Sequence, residues 1–277
     1  MLSNVTLFIS FVLVVKIDRD MMKLCDRKYL NLLREMAVAQ YKLKDQSTFF
    51  GFFWSFLNPL IMVSVLFVFF NLSIGQQIEH YVIYLLIGII HYTHFSNSTS
   101  ASMQVLYAMR NLTRDAIFPK EVLVVGSLIS TTVEFILSML ICVAVASISG
   151  LSLTWTVTML PFVLLLQVML VLWVSLLLSC FYIYVRDIAH IYQVFLRLLF
   201  FATPIFYGIS FLGDGISGTI VFLNPLTHLI TFSRSILIEG APFSIKLFSV
   251  LLLLNASLIY LSFKTLKTFE PTFAENV

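Results

Sequence analysis

The chain has 277 residues, 60% of them hydrophobic and only 11% charged, with a net charge of +3 and a mean hydropathy of +0.98. Soluble domains are closer to half apolar and a quarter charged. A chain of this length still exposes much of its surface, so a water-soluble core cannot absorb the excess. The composition excludes a soluble globular protein and points to lipid as the solvent.

Residues 1–25 form an N-terminal extension whose role is open. Val5 to Val15 is apolar but shorter than the roughly 20 residues a spanning helix needs. It has no basic residue before it and no small-residue cleavage site after it, unlike a secretory signal. Either it lies on the membrane or translation starts near Met21 or Met22. Over residues 26–48, Leu30, Leu33, Ala37 and Tyr41 recur at three- and four-residue steps among Arg, Glu, Gln and Lys. That pattern predicts an amphipathic helix with a basic face, suited to the membrane interface or to packing on another protein.

The chain then reads as an all-α integral membrane protein with six spans, at about 49–72, 81–103, 122–148, 155–185, 191–211 and 243–263. Residues 49–268 make the membrane domain, and 269–277 a short tail. The second span is the least apolar. Its run stops near Phe95, and Ser96-Asn97-Ser98-Thr99-Ser100 follows, so this helix is expected inside the bundle. Between spans five and six, Leu212 to Pro242 is too apolar for a loop in water and is expected to dip back as short re-entrant helices.

Cations are distributed unevenly. Lys16, Arg19, Lys23, Arg27, Lys28, Arg34, Lys42 and Lys44 precede the first span, and Arg110, Arg114, Lys120, Arg186, Lys264 and Lys267 fall on the same side. Only Arg234 and Lys246 fall on the other. The positive-inside rule then places both termini in the cytoplasm.

Catalytic signatures are missing. No G-x-x-x-x-G-K-[ST] loop is present to hold ATP phosphates, and no paired aspartates sit at a membrane face for magnesium. Cys25, Cys142 and Cys180 are far apart and read as free thiols. His91 and His94, beside Tyr92 and Phe95, read as bundle-lining or interfacial histidines, and no metal site is expected. Glu134 in span three and Arg197 in span five are ionisable groups at membrane depth, read as a packing pair or, on the sharper reading, a proton relay. Energy is therefore expected from a partner. The charged stretch Arg110 to Lys120, with Arg110, Asn111 and Arg114, a bulky Phe118, and Pro119 setting the start of span three, could plug into a groove on a soluble protein.

Several motifs resemble those of type-2 ABC exporter permeases for bacterial polysaccharides. They are Gly51-Phe52-Phe53-Trp54-Ser55-Phe56-Leu57-Asn58-Pro59-Leu60, Tyr184-Val185-Arg186-Asp187-Ile188-Ala189-His190, and Ala202-Thr203-Pro204-Ile205-Phe206-Tyr207. To these add Phe222-Leu223-Asn224-Pro225-Leu226-Thr227 and Glu270-Pro271-Thr272-Phe273-Ala274-Glu275. Together they span nearly the whole chain from Asp26.

The resemblance implies a homodimer in the bacterial cytoplasmic (inner) membrane, working with two ABC ATPase subunits. Its cargo would be lipid-linked polysaccharide, namely O-antigen, capsule or teichoic acid. ATP and magnesium would sit on the ATPase, leaving this chain without catalysis, cofactor or nucleic-acid partner. The resemblance also implies that Arg110 to Lys120 contacts the ATPase and that the interfacial helix flanks the channel entrance. Tyr41, Phe52 and Trp54 are the entrance aromatics to test, each with an alternative reading as an interfacial anchor. Two other functions share part of the pattern: a permease for a small lipophilic compound, and an ion-coupled flippase or membrane enzyme acting on polyprenyl-linked sugars.

Overall fold

A computed structural model describes residues 27–45, 54–72, 75, 78–115, 118–209 and 215–273. The 1–25 extension, Phe52 and the first residues of span one lie outside the described residues, as do Leu212 to Asp214 and the last tail residues. The described chain consists of helices and turns, with no strand among the described residues. In chain order the helices are α1 (Arg27–Asp45), α2 (Trp54–Phe70), α3 (Tyr81–Ala108), α4 (Arg110–Asp115) and α5 (Glu121–Ile148). They continue with α6 (Leu160–Tyr184), α7 (Ile188–Ala202), α8 (Ile216–Leu223), α9 (Pro225–Arg234) and α10 (Ile245–Phe269). A 3₁₀ turn, Trp155–Met159, leads into α6, and a π-helical turn, Ser235–Glu239, follows α9.

Among the described residues, three stretches are long and apolar enough to cross a bilayer: Glu121–Ile148, Trp155–Tyr184 and Ile245–Thr272. Leu57–Phe70 and Ile188–Ala202 are shorter apolar helices. Length does not limit α3, whose 28 residues extend about 42 Å at 1.5 Å per residue. Polarity does. Ser98, Thr99 and Ser102 are fully buried, and α3 packs against α2, α5, α6, α7 and α9. The bundle-interior position expected from its polar cluster is the one it occupies.

Other boundaries shift for local reasons. The helix at the expected second span runs on to Ala108 and not 103, and the stretch after it opens with the short helix α4 instead of being loop throughout. The fifth stops at Ala202 rather than 211. Pro204 has no N–H to continue the ladder and disfavours helix at Thr203 before it, and Thr203 is extended (φ −102°, ψ 133°). The sixth runs Ile245–Phe269, beyond the expected end at 263, because Leu266 is buried among Leu123, Leu176 and Ile183.

In α1 the stripe of apolar residues divides. Ala37 is buried, whereas Leu30 is 53% exposed. Gly126 of α5 makes the notch for this helix: a Cβ there would lie 3.4 Å from the Met36 Cβ and 3.5 Å from the Ala37 nitrogen. Gln40 donates from Nε2 to the Leu123 carbonyl at 3.0 Å, which fixes the register of α1 on α5.

At the end of the bundle away from α4, Arg234 joins three segments. It is 5% exposed. Its guanidinium donates to the carbonyls of Pro204 (2.7 Å), Ile205 (2.8 Å) and Tyr84 (3.0 Å), and lies 3.3 Å from the centre of the Tyr84 ring. The Tyr81 and Tyr84 hydroxyls donate to the carbonyls of Phe206 and Tyr207 at 2.9 and 2.8 Å. Gly88 permits this approach, since a Cβ there would come within 2.9 Å of Arg234 Nη2 and 3.2 Å of the Ile205 Cα. Arginine suits the position because its planar fork reaches several acceptors at once and stacks on a ring.

Replacing Arg234 with Leu strands these carbonyls, at about 1–3 kcal/mol for each buried group left without a partner. The apparent melting temperature of the detergent-solubilised protein should fall by at least about 4 °C, and Arg234→Lys should recover only part of the loss. An unchanged melting temperature for Arg234→Leu would refute the clamp.

Candidate functional site

Two regions carry the chemistry: the end of the bundle around α4, and a polar seam along α3. At the α4 end, Arg110, Asn111 and Arg114 are exposed, so the charged face expected there is available to a partner. Phe118 and Pro119 are half-buried. Phe118 belongs to the small apolar cluster formed by Val105, Leu106, Leu123 and Phe273, and Lys120 Nζ lies 4.7 Å above its ring. Thr113 donates to the Leu106 carbonyl at 2.8 Å and ties α4 back to α3. The Arg186 and Arg110 guanidinium groups lie 4.4 and 5.8 Å from the Tyr107 ring centre, so the turn before α7 joins the same basic face.

Sequence reading missed what secures this element. Lys267, in the last turn of α10, pairs with Glu121 at 2.8 Å and with Glu270 at 3.1 Å. Glu270 also accepts from the Lys120 backbone N–H at 3.1 Å. The Lys120 ammonium donates to the Leu112 carbonyl at 3.3 Å. Phe273 is fully buried, and the Tyr184 and Thr272 hydroxyls are hydrogen-bonded. The tail therefore forms a latch between α10 and the start of α5. Burial lowers the affinity of the Lys120 amine for its proton, and the charge of Glu270 opposes that shift. On α1, burial pushes the Tyr29 hydroxyl above its usual range, and the nearby charge of Glu121 adds to it. A lysine three residues before the first glutamate of the tail was visible in the chain, but nothing local pairs it with Glu121.

Along α3 the buried polar groups pair across helices. His91 contacts Gln167 Oε1 of α6 at 3.3 Å through Nδ1 and Ser233 Oγ of α9 at 2.8 Å through Nε2. Gln167 donates back to the His91 carbonyl at 3.1 Å. Ser98 donates to Thr131 of α5 at 2.7 Å, and Tyr192 of α7 donates to Thr99 at 2.6 Å. His91 thus lines the bundle and binds side-chain amide and hydroxyl groups. Among the described residues, no group of three His, Cys, Asp or Glu is placed to hold a metal. Cys142 and Cys180 are buried free thiols.

The remaining candidates are dispersed. Tyr41 is half-buried near the end of α1, and Trp54, 46% exposed, begins α2. Glu134 lines a cavity beside α2 and α3, whereas Arg197 is exposed on α7. The two intramembrane charges are not brought together. Arg234, counted from sequence only as an external cation, is instead the buried one. A lone cation within the apolar run Leu229 to Ile238 was the available signal.

Apolar helices around a polar-seamed central helix define an α-helical integral membrane protein. Residues 31–238 match the profile of the ABC-2 type transporter family, and the chain belongs to that family. It is 26% identical over 251 residues to the O-antigen export system permease protein RfbA of Myxococcus xanthus, covering 90% of this chain and 96% of that protein. A protein of the same name from Klebsiella pneumoniae is 24% identical over 212 residues, covering 76% of this chain and 81% of the relative.

The latch yields a quantitative expectation. Lys267→Gln leaves Glu121, whose side chain is 5% exposed, without its cation. That variant should be destabilised by about 2–3 kcal/mol, and the double variant Glu121→Gln/Lys267→Gln by distinctly less than the sum of the two single changes. A double-mutant cycle on thermal or denaturant unfolding measures the coupling. Strict additivity would show that the two groups do not act as a pair.

Proposed function

We propose that this chain is the channel-forming permease subunit of an ATP-driven exporter that moves lipid-linked polysaccharide across the cytoplasmic membrane of a bacterium. The observation that carries this reading is the similarity to O-antigen export permeases, along 90% of the chain for one and 76% for another. Membership of the ABC-2 family supports an ABC ATPase as the partner that binds ATP and magnesium.

On this reading α2, α3, α5, α6, α7 and α10 are the six spans, and both termini lie in the cytoplasm with the basic α4 end. Helices α8 and α9, of 8 and 10 residues, are each too short to cross and form the re-entrant pair on the outer side. Helix α1 lies in the inner interface beside the channel entrance. The exposed apolar faces of α2 (Val65, Val68, Phe69) and α7 (Ile191, Phe195, Leu198) are large enough to need lipid or a second permease. A homodimer would use part of this surface and leave a path between the copies.

In the α4 element, Arg110 and Arg114 supply charge and Asn111 a neutral hydrogen-bonding group, all three exposed to the ATPase. Phe118 and Pro119 anchor the element in the bundle. Movement of the ATPase would reach α5 and α10 through the latch, because Glu121 begins one and Lys267 ends the other.

Depletion of the protein should remove glycan from the cell surface while lipid-linked glycan accumulates inside, as read by blotting both pools. Restoration should require a hydrolysis-competent ATPase. Unchanged pools would eliminate polysaccharide as cargo, and a joint fall would place the protein in synthesis. Arg110→Glu/Arg114→Glu should reduce co-purification of the ATPase at least about tenfold while leaving the permease folded, because reversing rim charges at an interface repels a complementary surface.

A further inference from the structure

A cavity of about 170 Å³ opens between α2, α3 and α5. Its wall includes Asn58, His94, Asn97, Ser98 and Glu134, with Trp54 at one side. It lies at mid-height of the bundle and opens at one side, where Asn58 and Asn97 are exposed. Glu134 is 13 positions beyond Glu121, or about 20 Å along α5. His94 is in the middle turns of α3.

His94 is the second observation. It is 5% exposed, and neither ring nitrogen has a hydrogen-bond partner. Its ring is stacked on Phe135 at 4.1 Å with an interplanar angle of 8°. Its neighbour His91, one turn earlier, has both nitrogens engaged. An orphaned buried polar group is costly, so an imidazole with two such nitrogens beside a polar cavity is suited to a ligand.

The donor set narrows the ligand. Imidazole, amide and hydroxyl groups each both donate and accept, and one carboxylate accepts strongly. Metal binding would need several His, Cys, Asp or Glu together, and none of the described residues form such a group. The volume also exceeds that of a dehydrated ion, since one water occupies about 30 Å³. Trp54 and Phe135 add apolar ring faces beside the polar groups. Hydroxyls around a ring with apolar C–H faces answer every one of these features.

We propose that this cavity is a subsite for a single pyranose ring of the transported glycan, held within one permease. The proposal rests on the export reading. Asn97, Ser98 and Glu134 bind hydroxyls, Trp54 packs on a ring face, and His94 completes its hydrogen bonds to the sugar after a small shift of its ring. Sugar units passing along the path between the copies would pause there one at a time, bound weakly enough to move on.

The test uses the intact permease–ATPase complex in nanodiscs, labelled with 5-fluorotryptophan. Its ¹⁹F signal for Trp54 is assigned by its loss in Trp54→Phe. Methyl glycosides of common hexoses and N-acetylhexosamines are titrated, with sodium, ammonium and choline chlorides as comparison probes. At least one glycoside should shift the Trp54 signal saturably, with little movement of Trp155 or Trp173. Asn97→Leu should weaken that binding about tenfold, the equivalent of one good hydrogen bond. Ser138→Ala, a milder change on the same wall, should weaken it less and guards against a folding defect in the first variant. A response to cations alone, or to no probe in a complex that still hydrolyses ATP, would overturn the subsite. Unchanged glycan pools on depletion would overturn the export reading, whatever the Trp54 signal does.

Discussion

Inside a bilayer a buried polar side chain has no water to bond, so it must find protein. That constraint organises this bundle around α3. The helix carries two histidines and a run of Ser, Thr and Asn through its middle, and it can be accommodated only where other helices offer partners. Gln167, Thr131, Ser233 and Tyr192 do so from α6, α5, α9 and α7. Each of these bonds ties a neighbour to α3 at a defined height, so the polar seam also sets the helix register. Apolar packing then fills the space between.

The two ends of the bundle solve different problems. Away from α4, Arg234 meets no carboxylate among the described residues and is held by carbonyls that the broken helix after Ala202 leaves open. The helix break and the buried cation therefore support each other. Pro204 frees the acceptors, and Arg234 satisfies them. At the α4 end Arg110, Arg114 and Arg186 are exposed, and Lys120 and Lys267 secure the tail. On the proposed reading, a surface that meets a moving partner keeps its charges in water, and the elements behind it are locked together so that movement is passed on.

Much of the architecture was legible in the chain. Hydropathy marked the apolar helices, the Ser/Asn/Thr cluster marked α3 as interior, and the three- and four-residue spacing marked α1, whereas the break at Pro204 was read through. The cation asymmetry marked one face as basic. The aromatics were less informative. Tyr41 and Trp54 fall on separate helices, and with 27 Phe and 11 Tyr in the chain, position in sequence does not distinguish an interfacial ring from a packed one.

These legible features share a cause. Apolarity, charge sign and helix-breaking act residue by residue or over a single turn, so the sequence alone determines a basic-ended helical membrane protein with a polar central helix. The latch, the Arg234 clamp and the His94 cavity were decided only by tertiary packing. Lys267 meets Glu121 across 146 positions, and Arg234 meets Tyr84 across 150. Contacts of that separation depend on which helix faces pack together and at what height. A buried polar group declares itself in the sequence as a cost, whereas its partner is chosen by the fold.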